Sequence, residues 1–350
     1  MEILIVKTSA IGDVTHTLPA LNCLRRKYPK ARITWLVEEA AADLIKGHQA
    51  LDRVLISKRK KWFKELRHGN HLRALKKIIN FIKELRQVKF DLIIDFQGLL
   101  KSGVLVGLAR GGQKVGFGRG MQHAECSYIF LNKRLPAVDM DIHALDRELL
   151  LLAGIGVECN KIKFNVPVTD LELNQAEELL AGAELDSRPL VAVNPQTKWP
   201  TKLWDNKKFA LVADQLAEDC QLFFTGGPDD RTIIAEIQAA MKAKSLNLAG
   251  KSTLKTLAAL YRKADLVIST DTGPMHIAAA VNTPVVALFG PTAPWRTGPY
   301  GDQHQVLRTG VSCSPCFKKI CPLENRAEQK KCMHKITVDQ VVDAVNKIVK

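Results

Sequence analysis

Short apolar runs alternate with helical patterns along this chain, and that alternation constrains the fold more than any other feature. Candidate strands fall at 3–6, 33–37, 53–56, 92–95 and 114–117, with helical patterns at 14–27, 72–87 and 98–109. The theme repeats with strands at 190–194, 222–225, 246–248, 266–269 and 285–289, and helices at 206–218, 231–243 and 254–262. Runs of this length between amphipathic helices predict parallel sheets covered on both faces. The expected class is α/β, with two doubly wound Rossmann-like units. A linker falls near 166–170, so the expected domains are 1–168 and 169–335. A last amphipathic helix, within 336–350, is expected to pack back on the first domain.

The chain's 350 residues suffice for two domains with good cores. Hydrophobic residues make up 46% and mean hydropathy is −0.05, as in ordinary globular proteins. No apolar run approaches the length of a membrane span. The first seven residues read as a strand rather than a cationic leader. Eight cysteines without a secretory leader point to a reduced, cytoplasmic setting.

Charge is uneven. The net value is +15, and residues 53–90 hold thirteen Lys and Arg against two Glu. Such a face attracts polyanions or an anionic membrane. Lys76, Lys77, Lys83 and Arg86 read as a solvated helix face. Lys58, Arg59, Lys60, Lys61 and Lys64 are interleaved with Trp62 and Phe63, which suits a membrane interface better than a duplex. No helix-turn-helix signature, zinc-finger spacing or RNA-recognition motif supports nucleic acid as a partner.

Ligands of open α/β sheets sit at the carboxyl ends of strands, and each notable loop falls there. In Asp271-Thr272-Gly273-Pro274-Met275-His276 a buried strand ends in a tight turn and a helix starts. Pro274 suits the first helical turn, whose free N–H groups make an anion site. Lys7-Thr8-Ser9-Ala10-Ile11-Gly12-Asp13 is a small, glycine-bearing loop. On spacing alone Asp13 reads as a helix N-cap. Asn194-Pro195-Gln196-Thr197-Lys198-Trp199-Pro200-Thr201-Lys202 suits a phosphate pocket, or an exposed loop anchored by its tryptophan. Gly226-Gly227-Pro228-Asp229-Asp230 could hold a sugar hydroxyl, or simply turn the chain.

Two tempting motifs fail. Gly250-Lys251-Ser252 resembles the end of a P-loop, but Ser245 stands where its first glycine belongs. Gly116-Phe117-Gly118-Arg119-Gly120-Met121 misses the last glycine of a dinucleotide fingerprint, so a nicotinamide cofactor is not expected. Cys313, Cys316, Cys321 and Cys332 could make a tetrahedral zinc site or remain free thiols, the last gap being short for a zinc ribbon.

Together these pieces resemble glycosyltransferase family 9, the bacterial heptosyltransferases of lipopolysaccharide core synthesis. The resemblance spans nearly the whole chain. It is most specific at Ser269-Thr270-Asp271-Thr272-Gly273-Pro274-Met275-His276-Ile277-Ala278-Ala279-Ala280, continued by Leu288-Phe289-Gly290-Pro291-Thr292. The loop from Lys7 to Leu21 and the stretch Asp95-Phe96-Gln97-Gly98-Leu99-Leu100-Lys101-Ser102 look most like type I enzymes. The cysteine-rich segment 313–332 looks more like type II.

The resemblance implies a GT-B architecture, two Rossmann-like domains facing a central cleft. It implies inverting transfer of heptose from ADP-heptose to the Kdo (3-deoxy-D-manno-oct-2-ulosonic acid) of Kdo-lipid A. Asp13 aligns with the family's general base. Asn194, Gln196, Thr197, Lys202, Asp230, Ser252, Asp271, Thr272, Gly273 and His276 match the donor side, with Lys202 as the cation beside the leaving diphosphate. Lys58, Arg59, Lys60, Lys61, Lys64, Gln97 and Arg119 are the acceptor-side candidates. No cofactor or catalytic metal is expected. The chain is expected to be a monomer, peripheral to the inner face of the inner membrane. Two alternatives stand beside this one. Another nucleotide-sugar transferase could act later on the core, or a non-enzymatic basic module could bind membranes or nucleic acid. The second leaves the 271–276 turn and Lys202 without a purpose.

Overall fold

A computed structural model describes residues 1–121, 125–182 and 186–350. The chain divides into two units, residues 1–167 and 168–350. The first runs β1 (Glu2–Val6), α1 (Ile11–Lys27), β2 (Arg32–Glu38), α2 (Glu39–Ala42), β3 (Arg53–Ser57), α3 (Arg59–Arg67), α4 (His71–Arg86), β4 (Lys89–Asp95), α5 (Leu100–Leu108), β5 (Arg110–Phe117), β6 (Lys133–Leu135) and α6 (Ala144–Ala153). The second begins with α7 (Asp170–Leu180), β7 (Leu190–Asn194), α8 (Asn206–Leu216), β8 (Gln221–Phe224), α9 (Arg231–Ala239), β9 (Leu246–Asn247) and α10 (Leu254–Lys263). It continues through β10 (Leu266–Thr270), α11 (Gly273–Ala280), β11 (Val285–Phe289), α12 (Pro294–Thr297), β12 (Gln305–Arg308), α13 (Lys331–His334) and α14 (Val338–Val349).

Each unit holds a six-stranded sheet, ordered β3-β2-β1-β4-β5-β6 in the first and β12-β11-β10-β7-β8-β9 in the second. All pairings are parallel. Counted from its own first strand, each sheet has the doubly wound Rossmann order, reversing direction between its first and fourth strands. The central strands are continuous apolar runs because both faces are covered: β7, β10 and β11 are buried at every position. The sequence did not anticipate β6 and β12. Both are edge strands, half exposed and without an apolar run.

The reversal points decide where chemistry can sit. In the first unit Val6 lies opposite Asp95, so the loops after β1 and β4 leave the sheet side by side. In the second Ser269 lies opposite Asn194, which places the loops after β7 and β10 together. The core of the first unit gathers Leu4, Val6, Leu36, Trp62, Phe81, Phe90 and Ile93. In the second, Val193, Phe209, Phe224, Ile268 and Leu288 share a core with Val341, Ala344 and Val345 of α14. The apolar face of the last helix therefore packs within the second unit. Its apolar stripe meets α8 beside the sheet of its own unit, and Thr337 caps it by accepting from the Gln340 N–H.

Candidate active-site residues

In the second unit the chain leaves β10 at Thr270 and enters α11 within three residues. Thr272 is the N-cap residue but makes no side-chain cap bond, and Pro274 occupies the first turn. The first N–H groups of the helix, at Thr272 and Gly273, are thus left for a ligand. Asp271 is buried at the mouth of this turn. Its Oδ2 takes the Lys202 ammonium at 2.7 Å and accepts a short hydrogen bond from the Thr292 hydroxyl. Lys202 also lies 4.7 Å above the Trp199 ring, which Lys319 approaches at 5.4 Å. The Thr197 hydroxyl reaches the Asp271 carbonyl at 3.5 Å. A held cation, a helix N-terminus and a small-residue turn thus converge on one spot. Together they can hold a diphosphate and stabilise charge that develops on it.

The other donor-side candidates separate into two groups. His276 is buried one turn into α11. Asn194 spends its amide on the Thr225 carbonyl and hydroxyl at 3.1 and 3.2 Å, and that hydroxyl in turn pairs with Tyr261 at 2.9 Å. This ties the end of β7 to the residue after β8. Gln196 reaches Asn206 at 3.4 Å. Asp230 accepts from the Gly227 N–H at 2.7 Å, holding its own turn. Ser252 is half-buried in the loop before α10. Gly250 in that loop has φ +69°, and a Cβ there would stand 2.8 Å from Pro228 Cα. The P-loop lookalike is glycine at this point because two loops touch.

In the first unit α1 starts at Ile11, so Asp13 is its third residue and not its N-cap. Its Oδ2 accepts from the Ala10 N–H at 2.7 Å. One such bond leaves a half-buried carboxylate further capacity to accept from an approaching hydroxyl. The loop below is fixed by groups the sequence did not single out. Lys7 is buried, and its ammonium donates to Glu148 Oε1 at 2.7 Å and to the Phe96 carbonyl at 3.0 Å. Thr17 donates to the same oxygen at 2.9 Å. Burial alone would lower the pKa of Lys7, but Glu148, with the field of Asp13 behind it, holds it above its ordinary value. Lys101 donates to Ser9 Oγ. Burial, with Arg59 and Lys60 nearby, lowers the pKa of Lys101 against the pull of Glu38.

Gln97 serves this same loop. Its Oε1 accepts from the Thr8 N–H, the Thr8 hydroxyl and the Ser9 N–H, at 3.0, 3.1 and 3.0 Å. Asp95 accepts from the Gln97 and Gly98 N–H groups and the Ser102 hydroxyl, and Gly98 turns at φ +65°. Burial pushes the Asp95 carboxyl up to about 6.

Four of the five basic cluster residues are paired within the fold, on two carboxylates. Buried Glu38 receives Arg59 at 3.2 Å, Lys60 at 3.5 Å and Lys101 at 3.6 Å. Glu39 receives Lys61 at 2.8 Å and Lys58 at 3.9 Å. Lys64 is exposed on α3, and Arg119 is exposed after β5. Glu38 was legible only as the end of a strand.

Cys23 and Cys159 form a disulfide, with Cα atoms 5.5 Å apart, unlike the reduced thiols expected of a cytoplasmic chain. Cys313, Cys316, Cys321 and Cys332 line one cavity of about 60 Å³. Burial, then the neighbouring thiols, push Cys332 up to about 11. Among the described residues no three His, Cys, Asp or Glu side chains are grouped to hold a metal ion.

Two doubly wound units, each with polar loops at its reversal point, define the GT-B fold. The chain belongs to glycosyltransferase family 9 (heptosyltransferase), whose sequence profile matches residues 78–327. It is 32% identical over 341 residues to lipopolysaccharide heptosyltransferase 1 of Pseudomonas aeruginosa, covering 95% of this chain and 90% of that one. A family 9 glycosyltransferase of Veillonella parvula superposes with a TM-score of 0.80 at 25% identity, covering 99% of this chain and 97% of the other. Escherichia coli heptosyltransferase WaaC, solved with ADP, has the same fold. Its TM-score is 0.78 at 24% identity, and the match covers 99% of each chain.

Proposed function

We propose that this chain moves L-glycero-D-manno-heptose from ADP-heptose to the Kdo of Kdo-lipid A, inverting the anomeric centre, in lipopolysaccharide inner-core synthesis. The observation that carries the reading is the Lys202–Asp271–Thr292 cluster beside the uncapped start of α11. The second unit takes the donor. Its diphosphate accepts from the Thr272 and Gly273 N–H groups and lies near the Lys202 ammonium. As the glycosidic C–O bond breaks, charge builds on the leaving ADP, and these groups stabilise it. The first unit takes the acceptor. Asp13 removes the proton from the attacking Kdo hydroxyl as its oxygen bonds to C1 of the heptose. Lys7, Glu148, Gln97 and Lys101 keep the Asp13 loop in place. Lys64 and Arg119 are the acceptor-side cations least engaged within the fold. The enzyme works as a monomer at the cytoplasmic face of the inner membrane.

The type I assignment draws on the Pseudomonas relative, which is a heptosyltransferase 1. The resemblance of the cysteine-rich segment 313–332 to type II enzymes favours a second reading, transfer to an already heptosylated core. Product mass spectrometry with ADP-heptose separates them. Addition of one heptose to Kdo₂-lipid A supports the first. Addition only to a heptosylated acceptor supports the second, and no addition to either removes both.

A further inference from the structure

Helix α4 has two unlike faces. Ala74, Phe81 and Leu85 are buried, and Phe81 meets Trp62 of α3 with ring centroids 5.1 Å apart. The opposite face carries Leu72 at 86% exposure, Leu75 at 52% and Ile79 at 42%. Spacings of three and four place these side chains in one stripe along the helix. Lys76 and Lys83 are exposed beside that stripe, with Arg73 in its first turn. A single exposed leucine needs no explanation, but a continuous aliphatic line flanked by cations does.

We propose that this outer face of α4 docks the chain on an anionic lipid bilayer. The inference deepens the reading of a lipid-linked acceptor and rests on it. Charge selects the occupant. Helices α3 and α4 carry ten Lys and Arg against two Glu. Glu65 is engaged by Lys77 and Glu84 by Arg53, so neither offsets Lys76 or Lys83. A nucleic acid would meet the cations but leave three aliphatic side chains without a counterpart. A second copy of this face would cover the aliphatics but set like charges against each other. An anionic bilayer meets both: the aliphatics enter the acyl boundary while the ammonium groups stay at headgroup level. Four of the five cluster residues at 58–64 are tied to Glu38 and Glu39, so α4 is the better placed surface.

The test compares the full chain with a Leu72→Ser, Leu75→Ser, Ile79→Ser triple variant. Partition is measured onto vesicles of phosphatidylethanolamine with phosphatidylglycerol, and onto phosphatidylcholine alone. These side chains are exposed, so the thermal midpoint and ADP binding stay unchanged in the variant. The natural chain binds the anionic vesicles, more weakly as salt rises, and the variant binds them at least roughly tenfold less. Equal binding by the two chains, or no binding by the natural chain, overturns the proposal. So does a dimer that the variant dissolves, which would give the stripe to self-association. Turnover on a detergent-dispersed acceptor needs no bilayer. Its absence would sink the heptosyl-transfer reading while leaving the partition result to stand or fall by itself.

Discussion

At the scale of single residues, two buried or half-buried ion pairs stand at the candidate sites, and they differ in setting. Lys202 meets Asp271 at the rim of the donor loops, where its charge can be shared with a ligand. Lys202→Ala is expected to weaken ADP binding about tenfold or more, since charge-assisted contacts contribute about 1.5–3 kcal/mol. Calorimetric titration with ADP checks this, and unchanged affinity with unchanged turnover removes Lys202 from the site. Lys7 and Glu148 are sealed inside and serve the Asp13 loop. Glu148→Ala strands a buried ammonium and is expected to cost about 3–5 kcal/mol in urea unfolding. A Lys7→Met, Glu148→Leu double variant, which leaves no orphan charge, is expected to cost less. Asp271 and Lys202 were legible because they stand in loops after apolar runs. Glu148 was not, because a glutamate within a leucine-rich helix looks like any solvent-facing residue until the fold closes over it. Gln97 was singled out only through the family resemblance of its stretch. Its actual partners, Thr8 and Ser9, lie across the sheet reversal and leave no mark in local sequence.

At the scale of elements, the turn from β4 into α5 links the carboxylate of Asp95 to the position of Gln97. Its folded pKa of about 6 lies above the ordinary 3.8, so the folded chain holds that proton more tightly. Protonation thus adds stability that is fully present below pH 3.8 and is lost as pH rises through about 6. The loss amounts to about 3 kcal/mol at most. Asp95→Asn keeps an acceptor for the Gln97 and Gly98 N–H groups and removes the titration. Its urea midpoint is expected to fall less than that of the natural chain over this range. Parallel slopes for the two proteins would show that Asp95 does not titrate there. Elements with a clear period were readable: β10 as a buried run, and α14 from its apolar stripe. Edge strands β6 and β12 were not, because a half-exposed strand of three or four residues lacks an apolar run. The core partners of α14 in its own unit were not legible, because an amphipathic stripe says that a face is buried, not by what.

At the scale of the whole molecule, one topology is used twice, and both reversal points carry candidate site residues. The loops after β1 and β4 hold Asp13 in one unit, and those after β7 and β10 hold Lys202 near Asp271 in the other. The loops' placement followed from the order of apolar runs and the Gly, Pro and Asp after them, while Asp13 was singled out only through the family resemblance. What did not follow is how the positive charge is spent. The 58–64 cluster reads as free cations, yet four of its five members pair with Glu38 and Glu39, whose two charges offset part of it. The central claim is that Asp13 is the base for heptosyl transfer. It is tested most directly by the rate at which Asp13→Asn converts ADP-heptose and Kdo₂-lipid A. A fall of roughly 10²–10⁴-fold with ADP affinity unchanged is expected, the usual share of a general base. Turnover at the natural rate would contradict it.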